Sequence, residues 1–450
     1  MRWLPNTDAD RRAMLDRIGV PAINDLFSDV PSEVLDPVLD LPPAASEIEI
    51  GRVFEELSGR NRAAGDGPFF LGAGAYRHYI PASVDALIQR GEFLTSYTPY
   101  QPEISQGTLQ TLFEFQTQVA LLTGCEVANA SMYDGSTACV EATLMAARVT
   151  RRNRIAVADG LHPHWHETLT TYFHFAGLEL VQLSGAEPGQ WLPASPDALP
   201  DDCAAVLVQY PDVFGAVGDL RPWAEAAHAA GALLIVAVPE TVALGALRSP
   251  GEDGADIVVA EGQSLGVGLA FGGPYVGLFA TRDKYVRNMP GRLAGETVDT
   301  EGERSFVLTL AAREQHIRRG RATSNICTNS GLCALAFSVH LALLGETGLA
   351  RLARLNHEAA VRTAERIEAV KGVSVANETF FNEFVVALDR PAEDVAAAMQ
   401  RERGVLAGVP ASRLYPGRDD LANHLLIAAT ELTTDDDIER LGAAFEETLR

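Results

Sequence analysis

Four stretches of the chain carry side chains suited to chemistry. SYTPYQPEISQGTLQ, residues 96–110, sets Tyr97, Tyr100, Gln101 and Glu103 around Pro99 and Pro102. These are hydrogen-bonding groups on an irregular, proline-fixed loop, where function often sits, although an ordinary packed loop reads the same way. MYDGSTACVEA puts Gly135, Ser136 and Thr137 at the start of a helix. Free amides and hydroxyls there suit an anion such as a cofactor phosphate. A helix start capped by Asp134 or Ser136 explains the same residues, and Asp134 adds a charge that opposes an anion. HPHWH spaces His162, His164 and His166 at i, i+2 and i+4. On a helix only the outer two share a face, and no carboxylate-and-cysteine set completes a site, so no metal is expected. DIVVAEGQSLGVGLAFGGPYVGLFAT, residues 256–281, reads as a strand, a loop, a glycine-rich turn and a second strand. Sites in α/β sheets form beyond the carboxyl ends of strands; here the loop offers Gln263 and Ser264 after Glu261.

The elements that must position these groups follow from hydrophobic pattern. CEVANAS, RIAVAD, LELVQL, CAAVLVQY, ALLIVAVP, DIVVAE and YVGLFAT alternate with helical stretches such as STACVEATLMAARVTRR and LRPWAEAAHAA between about 66 and 330. Near-continuous apolar strands alternating with helices predict an α/β domain, a mostly parallel sheet covered on both faces. Residues 331–450 change character: a long helical region to about 370, strands GVSVAN, EFVVAL and HLLIAAT, and helices AEDVAAAMQRERG and TTDDDIERL, the last with Thr433 or Thr434 as its cap. This predicts a small α+β C-terminal domain. Residues 1–65 read as a helical, irregular arm.

Composition narrows the partners. The chain has 450 residues and a net charge of -24, which argues against nucleic acid or an anionic membrane. No apolar run of about 18 residues is evident, and the amino terminus has no signal-type stretch. Five cysteines at no framework spacing read as reduced thiols, so a cytoplasmic location is expected. Lysine occurs twice, at Lys284 and Lys371, against 34 arginines (36 basic residues less 2).

Several longer runs act together: PNTDADRRAMLDRIGV, INDLFSDVP, FLGAGAYRHYIPASVDALIQRGEFLTSYTPYQPEISQGTLQ, NASMYDGSTACVEA, ADGLHPHW, AEGQSLGVGLAFGGPYVG, RNMPGRLAGET and QHIRRGRATSNICTNSGL. Over nearly the whole chain they resemble the P-protein of the glycine cleavage system, glycine dehydrogenase (decarboxylating), and within it subunit 1 (α) of the two-chain form. YTPYQPE with GQSLG and MPGR is the specific combination; GSTA alone is weak.

The resemblance implies the fold type I architecture of PLP-dependent transferases: an arm (1–65), a large domain (66–330) and a small domain (331–450). In such enzymes a lysine binds PLP as a Schiff base, an aspartate meets the pyridine nitrogen, and a ring stacks on the cofactor. The resemblance puts these positions at Gln263, near Ala237 and near Asp159, all replaced here. A primary amide cannot form an imine, and neither lysine follows the right strand. The resemblance therefore implies that PLP is held by a partner, the β subunit (subunit 2), in an α2β2 heterotetramer. This chain would contribute Thr95, Tyr97, Thr98, Tyr100, Gln101 and Glu103 to the partner's site. Tyr97 or Tyr100 would position the glycine carboxylate or touch the cofactor, Glu103 would orient a proton carrier, and Ser136 and Thr137 would remain as a residual anion cradle. The implied reaction decarboxylates glycine and transfers the aminomethyl group to the lipoyl group of H-protein, releasing CO2, in the complex only. Two other readings stay open: a structural paralogue without chemistry, and an autonomous PLP enzyme using Lys284.

Overall fold

A computed structural model of the chain describes residues 5–183, 188–191 and 199–450. It separates into two units, Met1–Arg62 and Ala63–Arg450. In the first, helices Asp8–Ile18 and Glu47–Ser58 each begin in a capping box, Thr7 with Asp10 and Ser46 with Glu49. Ile50, Val53, Phe54 and Leu57 recur at i, i+3, i+4 and i+7, one stripe of the second helix, and each is exposed.

The second unit is built on a seven-stranded sheet. Its strands are β1 (Val127–Ala128), β2 (Arg154–Ala158), β3 (Glu179–Leu183), β4 (Cys203–Gln209), β5 (Leu233–Val238), β6 (Ile257–Glu261) and β7 (Gly277–Thr281). The order is β1-β7-β6-β5-β4-β2-β3. Strands β2 to β6 run parallel, whereas β7 is antiparallel to both its neighbours. Every apolar run read as a large-domain strand is a strand. Side chains alternate with period two: Val206, Leu234, Val236 and Val258 enter one core, and Leu207, Ile235, Ala237 and Val259 the other. Each buried Val, Leu or Ile contributes about 1.5–3 kcal/mol, so the runs had to be apolar on both faces.

A hairpin of β8 (Leu293–Val298) and β9 (Arg304–Thr309) was not legible in the sequence. It lies along the helix Gln106–Thr123, which clasps it with two side-chain amides. Gln116 accepts from the Ala294 N–H (2.8 Å) and donates to the Ala294 carbonyl (3.0 Å); Gln106 does the same with Phe306 at 2.8 Å each way. These amides stand in for a missing neighbouring strand.

The small domain holds β10 (Val373–Val375), β11 (Glu383–Leu388), β12 (Val409–Pro410) and β13 (His424–Ala428), all antiparallel in the order β10-β11-β13-β12. Thr434 caps the last helix, with three acids in its first turn. The helix Gly331–Glu368 is broken at Gly345 (φ 59°, ψ -174°). Ahead of the break Ala334, Ala336 and Phe337 pack in the large-domain core, and Ala359, Ala360 and Ile367 beyond it pack in the small-domain core. Residue 331 thus opens an element that spans both domains. By length and composition this helix could cross a membrane, which corrects the reading that no such run exists; 39% of its apolar window is buried inside the protein. Of the cysteines, Cys125, Cys139 and Cys203 are buried, but Cys327 is exposed.

Candidate functional site

The carboxyl ends of β2, β4, β5 and β6 meet at one edge of the sheet, where ligands bind in folds of this kind. Here the segment 72–78 crosses that edge and is bolted down. Gln263 Oε1 accepts the Tyr76 N–H (3.2 Å) while its Nε2 donates to the Val267 carbonyl (2.7 Å). The Tyr76 hydroxyl donates to Glu383 (2.8 Å), whose other oxygen accepts the Ala73 N–H (2.6 Å). A Cβ on Gly72 would collide with Glu383 and Ala428, so this approach requires glycine. His162 caps the helix Pro163–Ala176: its Nδ1 accepts the His164 N–H (3.2 Å), which leaves the proton on Nε2 to reach the Ala73 carbonyl (2.9 Å). Burial lowers its pKa to about 4, so the ring is neutral.

The proposed anion cradle is corrected. Asp134 is the N-cap of the helix Gly135–Thr150, taking the Thr137 N–H (2.7 Å) and the Ser136 hydroxyl (2.9 Å). Glu261 takes the Gly135 N–H (2.9 Å), and also those of Gln263 and Val276. The Gly135 and Thr137 amides and the Ser136 hydroxyl therefore serve carboxylates of the chain itself, and the Thr137 hydroxyl donates to the Asp134 carbonyl (3.1 Å). Burial pushes Glu261 up to about 8 against those three amides. Burial likewise raises Asp212 to about 8 and Glu383 to about 7. Asp212 accepts from Phe214 and Ala216 (2.9 Å each) through one oxygen; among the described residues its other oxygen has no partner.

These residues do not fit a Schiff-base-bound PLP. Gln263 is fully engaged, and Ala237 is buried within β5. Asp159 is turned to Gln182 on β3, 3.4 Å away. Between Tyr76, Asp212, Glu240 and Glu383 there remains a cavity of about 10 Å³, room for one water. Lys284 pairs with Asp256 (3.7 Å) at the opposite end of β6, roughly 20 Å along the strand from Gln263. Lys371 is exposed ahead of β10.

The tyrosine loop lies elsewhere, on the surface. Tyr97 is 80% and Tyr100 50% exposed. Thr98 meets Thr328, and the Tyr100 hydroxyl accepts a hydrogen bond from Arg292 (2.9 Å). Thr95, Gln101 and Glu103 are exposed, so the loop gathers Thr98 and Tyr100 and leaves the others facing outward. Sequence reasoning missed Arg292 and its partner Glu314, although MPGR had marked the position. It also missed Tyr76, His78, Glu240 and Glu383, whose roles depend on distant partners.

The fold is the PLP fold type I architecture. Sphingosine-1-phosphate lyase of Burkholderia pseudomallei shares the fold at a TM-score of 0.65 and 15% identity, over 92% of this chain and 93% of that one. A crystal structure of glycine decarboxylase (P-protein) of the glycine cleavage system, in inhibitor-bound form, superposes at a TM-score of 0.92 with 44% identity, covering 100% of both chains. The family described as glycine cleavage system P-protein matches residues 1–445. Proteins described as probable glycine dehydrogenase (decarboxylating) subunit 1 from Erythrobacter litoralis and Xanthobacter autotrophicus are each 60% identical over 100% of both chains. The chain belongs to the glycine cleavage system P-protein family, as an enzyme subunit of the glycine dehydrogenase (decarboxylating) subunit 1 kind. The family is PLP-dependent, and the designation subunit 1 implies a subunit 2.

Proposed function

We propose that this chain is the half of glycine decarboxylase that carries no PLP, working in a cytoplasmic α2β2 heterotetramer with a PLP-bearing subunit 2. The observation that carries this reading is the closed sheet edge: Gln263 stands where a lysine is needed and is tied on both sides to backbone. The exposed loop with Tyr97 and Tyr100 is the part offered to the partner's site, and the uncovered stripe on Glu47–Ser58 gives the arm a surface to bury. The assembly decarboxylates glycine and transfers the aminomethyl group to the lipoyl group of H-protein, releasing CO2. In it, this chain's residues orient the substrate carboxylate and exclude water.

Co-expression with subunit 2 tests the reading. This chain alone is expected to be colourless, the complex to absorb in the visible, and glycine–bicarbonate exchange to need both. A visible band in this chain alone, lost on borohydride reduction, overturns it, as does full exchange by subunit 2 alone.

A further inference from the structure

Arg292 sits at the end of a constrained turn. Gly291 has φ +70°, and the Asn129 amide holds the preceding Pro290 carbonyl at 3.1 Å. The arginine's own carbonyl accepts the Ala130 N–H (2.9 Å). Its side chain is 3% exposed and pairs through Nε with Glu314 (3.0 Å), itself 5% exposed. Nη1 reaches Thr328 (3.2 Å), and Nη2 donates to the Tyr100 hydroxyl (2.9 Å). The guanidinium carbon lies 5.0 Å from the Tyr100 ring centroid, and the His316 ring meets that tyrosine edge-on at 5.5 Å.

Proton counting then fixes what Tyr100 can do. A guanidinium has donors and no acceptor, so the phenol oxygen must be the acceptor in this contact. The phenol's own proton is left over, with no acceptor for it among the described residues. On a half-exposed ring held in place by a cation and an imidazole, that proton points away from Arg292.

We infer that Arg292, anchored by Glu314, is a positioning residue. It makes Tyr100 an outward hydrogen-bond donor to an anionic oxygen in the partner's site, a substrate carboxylate or a cofactor phosphate. The inference rests on the reading that this loop serves subunit 2. Arginine is needed because its planar fork satisfies Glu314, Thr328 and Tyr100 at once, whereas lysine offers one point charge.

A double-mutant cycle in the assembled complex tests it, with kcat and KM for glycine read in the exchange assay and PLP retention read by absorbance after gel filtration. Arg292→Lys should lower kcat/KM about tenfold when Tyr100 is present and less than about twofold in the Tyr100→Phe background. A raised KM for glycine identifies the carboxylate as the acceptor; lost PLP at unchanged KM identifies the phosphate. Equal losses in both backgrounds overturn the inference and make Arg292 merely structural. If Tyr100→Phe alone leaves kcat, KM and PLP retention unchanged, the inference fails; if Tyr97→Phe leaves them unchanged as well, the loop reading itself fails. Should Arg292→Lys not assemble, the neutral pair Arg292→Gln with Glu314→Gln replaces it in the same cycle: a loss confined to the Tyr100 background supports the inference, and equal losses overturn it.

Discussion

His78 Nε2 lies 3.0 Å from a carboxylate oxygen of Glu240, and both side chains are almost wholly buried. The other ring nitrogen is 2.9 Å from Glu431. Burial alone would push the His78 pKa down, but Glu240, joined by Glu431, carries it up to about 10. The ring is therefore an imidazolium, donating at both ends. It ties the loop after β5 to the loop after β13, the large domain to the small.

His78→Gln should cost about 3–5 kcal/mol of unfolding free energy at pH 6, because it leaves two buried carboxylates without their cation. The folded-state pKa lies above the unfolded value of 6.5. The stabilisation is thus complete below pH 6.5 and lost as pH rises through 10. Urea denaturation of both proteins from pH 6 to 10 should show the gap closing; a constant gap contradicts the imidazolium.

Asp212 works in the opposite sense from an ordinary carboxylate. Its pKa rises from 3.8 to about 8 on folding, so the fold gains from the protonated form below pH 4 and loses that gain as pH rises through 8. Asp212→Asn keeps an oxygen for the Phe214 and Ala216 amides and removes the charge. It should raise stability at pH 9, on the order of 1–3 kcal/mol, with less gain at pH 5. Thermal melts at both values decide, and a larger gain at pH 5 would count against buried protonation.

With subunit 2 assembled, Tyr97→Phe should leave the melting temperature unchanged, whereas Tyr100→Phe should lower it modestly because it takes the acceptor from a buried Arg292 N–H; glycine decarboxylation should fall about tenfold or more in at least one of the two. Wild-type turnover in both, with altered assembly, would favour a purely structural role for this chain.

Restoring a lysine should not restore a cofactor. Gln263→Lys removes the acceptor of the Tyr76 N–H and buries an amine, at a cost of roughly 2–4 kcal/mol. The variant should stay colourless with added PLP and denature earlier. A visible imine band would mean that the edge opens readily.

What the sequence revealed and hid follows from the range of the forces involved. Strands such as LLIVAV and IVVAE are buried on both faces, so their composition alone declares them. LAGETV and RSFVLT carry mixed polarity, and Gln106 and Gln116, far away in sequence, bond the backbone of Phe306 and Ala294 beside their own ladder. The missing lysine could be counted. What fills its place could not, because Gln263 meets Tyr76 across 187 positions and Tyr76 meets Glu383 across 307. Ser136 and Thr137 offered two readings in sequence, and Asp134 beside them decides for the cap.

The carboxylates of Asp134 and Glu261 at the helix start have a consequence for descent. A way back to a cofactor-bearing chain needs a lysine at 263, both acids gone from the helix start, and the segment 72–78 moved aside. A lysine at 263 alone would strip the Tyr76 N–H of its acceptor, and loss of Glu261 alone would strip three amides of theirs. Under the proposed division of labour the closed edge is a ratchet: it would hold this chain to its partner, since no single substitution would let it work alone.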